Sequence, residues 1–303
     1  MPSNVSHVTV ADGTDLLVRH WPAAGSETAA GSATTARPWA SVLLVHGLGE
    51  HSGRYEHVGD QLARAGLDVS AYDHRGMGGS GGRRGDIERW SHYHDDLGER
   101  LATVRAAAAC PVVLYGHSLG GLIVAGYLLS DRPKPDLAVL TSPALDSALP
   151  GWKKRLAGPL ARVAPTFAIA NGIDGTTLSR DPSVAAKTVD DPFCAKASTT
   201  RFGAAALAEQ ARVQAAAPGG FGISTLVLHG DDDRLVPVTA SEVLASAPGV
   251  ERRTYPDLRH ELHNEPEGEV IVDEVIAWIR AHANERATLS AQPNTASGER
   301  LAR

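Results

Sequence analysis

Residues 115–121 read Tyr-Gly-His-Ser-Leu-Gly-Gly, so a single hydroxyl, Ser118, is framed by Gly116 and Gly120 with Gly121 behind it. Serine is a weak nucleophile by itself. It needs a base to take its proton and a carboxylate to orient that base. The chain supplies both types downstream. Asp231, Asp232 and Asp233 follow one apolar run, and His260 and His263 follow the next. A serine, an acid and a histidine can together carry out acyl transfer through a covalent serine intermediate. Composition leaves the choice among the three aspartates and the two histidines open.

Residues so far apart meet only if a scaffold gathers them. The sequence alternates strand-like and helix-like segments. Residues 8–21 read as a hairpin around Asp12-Gly13. Continuous apolar or alternating runs at 41–47, 67–73, 110–116, 136–142, 224–230 and 250–255 read as strands. Helical patterns fall at 54–66, 91–108, 119–130, 239–247 and 268–283. In the last, Val272, Val275, Ile276 and Ile279 make one apolar stripe. Such alternation implies an α/β fold, a mostly parallel sheet with helices on both faces. The pattern breaks once, after the sixth strand, where about eighty residues lack a clear strand. An excursion of that length is usually an active-site lid. The expected division is a core of 1–143 and 219–283, a helical cap over 144–218, and a disordered tail over 284–303. The Ala, Gly, Ser and Thr-rich stretch 23–38 reads as a flexible loop.

Composition narrows the function. The 303 residues, 43% of them apolar, can bury a full core, and the formal charge of −6 argues against nucleic acid as a partner. Two cysteines, Cys110 and Cys194, cannot make a disulfide framework. The N-terminus lacks the basic start and apolar stretch of a signal peptide. The longest apolar run, 122–129, is far short of the roughly 20 residues that span a bilayer. A cytoplasmic protein is the expectation. His92 and His94 are two apart on a predicted helix and share no face, so neither a metal nor a cofactor is expected.

Gly116-His117-Ser118-Leu119-Gly120 fits G-x-S-x-G between a strand and a helix, the nucleophile elbow of α/β-hydrolases. The turn is sharp, and glycines two residues either side of the serine avoid a clash. The helix N-terminus then faces developing negative charge. Four further stretches fit motifs in the same order: HGLGEHSGRY (46–55), DHRGMGGSGG (73–82), GDDDRL (230–235) and YPDLRHELHNE (255–265). With these the chain resembles the monoacylglycerol lipase branch of the α/β-hydrolases from about residue 40 to 282, and 178–193 resembles the family's cap.

The resemblance implies roles. Ser118 would be the nucleophile, His260 the base and Asp233 the acid, since Asp233 precedes the Arg-Leu pair. The backbone N–H groups of Leu48 and Leu119 would form the oxyanion hole. Glu50, Arg54 and His263 would support the site from behind. The substrate would be a small lipid ester, a monoacylglycerol first, with Leu156, Leu160, Val163, Phe167 and Ile169 as candidates for an acyl slot; packing on the sheet would use the same residues. A lysophospholipase, a broad carboxylesterase, an aminopeptidase or an acyltransferase would share the catalytic residues, and a ligand receptor could share the fold. The cap segment 151–163 also has the pattern of a short interfacial helix, implying peripheral membrane contact, although Gly158-Pro159 should kink or split it. Nothing in the sequence speaks to oligomeric state.

Overall fold

Strand β3 (Ala40–Val45) is buried along its whole length, as an inner parallel strand must be. It lies in an eight-stranded sheet with β1 (Asn4–Thr9), β2 (Asp15–Trp21), β4 (Leu67–Tyr72), β5 (Val112–His117), β6 (Leu137–Thr141), β9 (Ser224–Gly230) and β10 (Val250–Tyr255). The order is β1-β2-β4-β3-β5-β6-β9-β10. Pairing is antiparallel from β1 to β4 and parallel from there on. These features come from a computed structural model that describes residues 2–25 and 37–291. Most of the predicted 23–38 loop, and the end of the predicted tail, lie outside the described residues.

The strand period of two sorts the core into two layers. Leu43, Val45, Leu114, Ala138 and Leu140 join side chains from α2 (Ser91–Ala107) and α3 (Leu119–Leu128) on one face. Val42, Leu44, Val113, Tyr115, Leu137 and Val139 meet α1 (Glu56–Arg64) and α7 (Gly268–Ala291) on the other. The stripe on α7 is the one expected: Val272, Val275 and Ile279 are buried. The helix runs on to Ala291, past the predicted start of the tail, because nothing in 284–291 breaks it.

Between β6 and β9 the chain forms α4 (Gly151–Val163), β7 (Ala168–Ala170), α5 (Pro182–Asp190), β8 (Ala197–Thr199) and α6 (Thr200–Ala216). Three expectations need correction here. β7 and β8 pair in a small antiparallel sheet that no sequence period announced, each being only three residues long. α4 runs through Gly158-Pro159 without splitting. The 239–247 segment forms a 3-10 turn over Val238–Leu244 rather than an α-helix. α6 belongs in part to the main core, since Phe202 and Val213 are buried in the same cluster as α3. No helix among the described residues is long and apolar enough to cross a membrane.

Candidate active site

The site is built where β5 hands over to α3. Ser118 has φ 52 and ψ −115, in a region a non-glycine residue seldom occupies. The turn is held from three sides: Ser118 N–H donates to Thr141 O at 3.0 Å, and Ser118 O accepts from Leu122 and Ala144 at 3.0 and 2.9 Å. The flanking glycines have a direct reason. A Cβ on Gly116 would lie 2.7 Å from Gly120 O, and one on Gly120 would run into Val45 O. Local strain of this kind persists only where the surroundings over-determine it.

His260 Nε2 lies 2.8 Å from Ser118 Oγ, and its Nδ1 lies 2.7 Å from Asp233 Oδ2. All three side chains are buried. Asp233 Oδ1 accepts the N–H groups of Leu235 and Val236, each at 2.9 Å. The choice among the aspartates is now physical. Asp231 accepts the Asp257 N–H and Asp232 pairs with Arg234, so neither faces His260. His263 is no rival for the base. It stacks on Tyr55 at 4.8 Å and on the edge of His117 at 5.0 Å, and neither of its ring nitrogens has a partner among the described residues.

The electrostatics separate these histidines. Burial opposes the charging of His260, but the Asp233 carboxylate outweighs it, with help from Glu261 and Glu50, and the ring titrates above its ordinary value. His117 and His263 feel burial first and then neighbouring positive charge, and both are held well below the ordinary histidine range. For Asp233, burial pushes upward. The charge of His260 and hydrogen bonds from His229, His260 and Val236 win, and the acid is held below its usual range.

Two amides belong to the segments flanking the serine: Leu119 follows it in the chain, and Leu48 follows Gly47, where a Cβ would lie 3.2 Å from Ser118 Cβ. Leu119 N–H is the first of α3, ahead of the acceptors a helix supplies to itself. Among the described residues neither the Leu48 nor the Leu119 N–H outside its own element has an acceptor. The loop bearing Leu48 is braced from behind. Glu50 accepts the Gly47 N–H at 2.5 Å and the Tyr55 hydroxyl at 2.6 Å. Arg54 lies 2.7 Å from Glu50, bonds Glu261 at 2.6 and 2.8 Å, and reaches Thr188 at 3.1 Å. Asp73, in the second glycine-rich loop, accepts the Ser52 N–H at 2.8 Å and the Gly79 N–H at 2.7 Å. The structure therefore brings together Ser118, Asp233, His260, Leu48, Leu119, Glu50, Arg54 and His263.

The five cap residues differ from this cluster in being open to solvent. Leu156, Leu160, Val163, Phe167 and Ile169 are 54%, 40%, 86%, 61% and 48% exposed. None of them is buried against the sheet. α4 buries no residue at all, whereas α6 places Phe202 and Val213 in the main core. Sequence reasoning also missed Glu261 and His229. Glu261 was unremarkable beside a histidine, and His229 was read only as the end of a strand.

One grouping among the described residues has metal-ligand types, His51, Asp191 and Cys194. His51 Nδ1 accepts the Gly53 N–H and Nε2 lies 2.8 Å from Asp191. A hydrogen-bonded clasp between loop and insertion accounts for that pair. Burial pushes the Cys194 thiol up to about 12, so the thiol is protonated.

The family model for serine aminopeptidases (S33) matches residues 36–267. The chain belongs to this family. It is an α/β-hydrolase, with the monoacylglycerol lipases among its relatives. It is 34% identical over 252 residues to a monoacylglycerol lipase of Mycolicibacterium smegmatis, covering 81% of this chain and 89% of that one. The crystal structure of a Paleococcus ferrophilus monoacylglycerol lipase matches with a TM-score of 0.74 at 27% identity, covering 88% of this chain and 99% of that one. A soluble variant of monoglyceride lipase from Saccharomyces cerevisiae, solved with a substrate analogue, matches with a TM-score of 0.82 at 21% identity, covering 93% and 96%. The fold class and the lipase-like branch read from the motifs are thus borne out.

Proposed function

We propose that this α/β-hydrolase cleaves carboxylic esters, monoacylglycerol foremost, to a fatty acid and an alcohol. One observation carries the reading: the unbroken line from Ser118 Oγ through His260 to Asp233, at 2.8 and 2.7 Å. Ser118 attacks the ester carbonyl as His260 Nε2 takes its proton. The oxyanion is held by the N–H groups of Leu48 and Leu119, which need not reorganise as charge develops. His260 then protonates the leaving alcohol. Water enters, His260 takes its proton, and the acyl-enzyme breaks down. Asp233 keeps the imidazole oriented and stabilises its charged form. The kinship with monoacylglycerol lipases supports the choice of substrate. The exposed apolar side of α4 supports contact with a lipid surface, where such substrates dissolve.

The family's description raises an amine substrate as a second reading. An aminopeptidase needs a carboxylate free to take the substrate's ammonium group. The carboxylates beside His260, Glu50 and Glu261, are both already paired with Arg54. That favours a neutral ester. A hydrolysis panel decides: monoacylglycerols of several chain lengths, di- and triacylglycerol, a lysophospholipid and a proline amide. Monoacylglycerol is expected to turn over fastest. Equal rates on mono-, di- and triacylglycerol, or a faster proline amide, would refute the assignment.

A further inference from the structure

Asp233 Oδ2 has a second histidine against it. His229, next to last in β9, is fully buried, and its Nε2 lies 3.2 Å from that oxygen and 3.0 Å from Val236 O. Both neighbours are acceptors, so Nε2 must carry the proton. Nδ1 lies 2.9 Å from Ser241 Oγ. Arg252 Nε donates to the same Oγ at 2.9 Å, and Arg252 Nη2 occupies Val238 O at 2.9 Å. Ser241 Oγ also lies 3.1 Å from Val238 O, but with the proton of the neutral ring on Nε2, Nδ1 can only accept, and the Ser241 hydroxyl at the shorter distance donates to it. The donors run one way: Arg252 to Ser241, Ser241 to His229, His229 to Asp233. With Leu235 and Val236 on Oδ1, the carboxylate has four donors.

We propose that His229, fixed as its Nε2–H tautomer by Ser241 and Arg252, is a positioning residue for the reaction: it locks the plane of the Asp233 carboxylate and shares Oδ2 with His260. The proposal rests on Asp233 being the orienting acid. Its consequence is electrostatic. While His229 donates, part of the charge on Oδ2 is spent before it reaches His260. Remove that donor, and His260 faces a stronger acceptor and holds its proton to higher pH. His260 also faces Ser118 and His117, with Glu261, Glu50 and His263 nearby, and none of these changes. Among the described residues, the ring nitrogens of His229 face only Asp233, Val236 O and Ser241, with Arg252 behind.

Three substitutions separate positioning from packing. A glutamine can place its amide nitrogen near Nε2 and still donate to Asp233. An asparagine places it near Nδ1 and cannot, and leucine removes both. His229→Asn and His229→Leu are expected to lower kcat roughly 10- to 100-fold, the scale of one lost hydrogen bond to a charge, with KM little changed. The acid limb of kcat/KM should move up by about half a unit or more. His229→Gln should return to within about threefold of wild type, the donor being restored. Should His229→Leu fail to fold, Ser241→Ala, which deletes only the hydroxyl, should lower kcat severalfold and move the limb the same way. Equal losses for Asn and Gln, or an acid limb that stays put in Asn and Ser241→Ala, overturn the proposal. A fluorophosphonate is run alongside. Wild type labelled at Ser118 together with equal Asn and Gln variants counts against His229 alone, whereas unlabelled wild type overturns the hydrolase reading and this proposal with it.

Discussion

The edge of the sheet and the insertion above it are built in opposite ways. All ten residues of α3 are buried, as are β3, β5 and β6. In α4 no residue is buried, and β7 is exposed throughout. Apart from α6, whose Phe202 and Val213 enter the core, the insertion is tied down largely by polar points: His51 to Asp191, Arg54 to Thr188, Ala195 N–H to Gly49 O, Arg84 to Phe193 O, and Arg180 to Glu265. Dense apolar packing tolerates few alternative arrangements, while a layer held by scattered hydrogen bonds can open at low free-energy cost. The chemistry is thus fixed by the part of the molecule least able to move.

Removal of the hydroxyl should give the largest effect. Ser118→Ala and Asp233→Asn are expected to lower kcat by roughly 10⁴-fold or more with the melting temperature nearly unchanged, because the three side chains act as a unit. Steady-state kinetics beside thermal melts checks both halves. Activity surviving Ser118→Ala would place the chemistry elsewhere and dissolve the contrast between a fixed edge and a permissive layer.

One substitution made in both regions sharpens that contrast. Gly120→Ala drives a methyl group into the Val45 and His46 carbonyls, which are backbone atoms of a buried strand end with nowhere to go. Little folded, active protein is expected. A Cβ on Gly158, inside α4, would meet nothing within 4 Å beyond its own helix backbone. There alanine removes backbone freedom from the unfolded chain, and Gly158→Ala should stabilise by about 0.5–1 kcal/mol. Expression yield and melting temperature report both. If the two variants behaved alike, the insertion would be packed as tightly as the core.

The same division explains what could be read from the sequence. Ser118, Asp233 and His260 each follow a strand of the parallel sheet, and topology alone carries such positions to one edge. Two-sided burial also left a plain trace in the apolar runs at β3, β5 and β6. The family's motif register singled out Asp233, and burial now gives the reason. The insertion obeyed no such rule. α4 has an amphipathic pattern, but a pattern says only that a helix has an apolar side, not what lies against it. β7 and β8 are too short to show a period of two. His229 was invisible because its partners, Asp233 and Ser241, are set by how the chain turns after β9. Its type and spacing carry no signal of that turn.

The smallest expected effect concerns the apolar side of α4. Trp152, Leu156, Leu160 and Val163 lie on one face of the helix and are all exposed. Leu149 and Phe167 extend that patch at either end, each exposed as well. The Lys153 ammonium sits 5.6 Å from the centre of the Trp152 ring, and Arg155 and Arg162 lie on the same helix. Lys154 is held by Asp146. An unburied apolar stripe edged by cations suits the boundary of an anionic bilayer, where tryptophan lies among headgroups and each cation adds about 1 kcal/mol. Flotation with vesicles containing anionic phospholipid should recover the wild type. Recovery should fall as salt rises, because charges near the surface are screened within a Debye length. A Leu149→Ser, Trp152→Ser, Lys153→Glu variant should float several-fold less while hydrolysing a soluble short-chain ester at the wild-type rate. A variant that floats as well as wild type would show that the exposed face is not a lipid contact. A variant that also loses the soluble activity would show that this layer is bound into the catalytic edge after all, and the contrast between the two regions would fail.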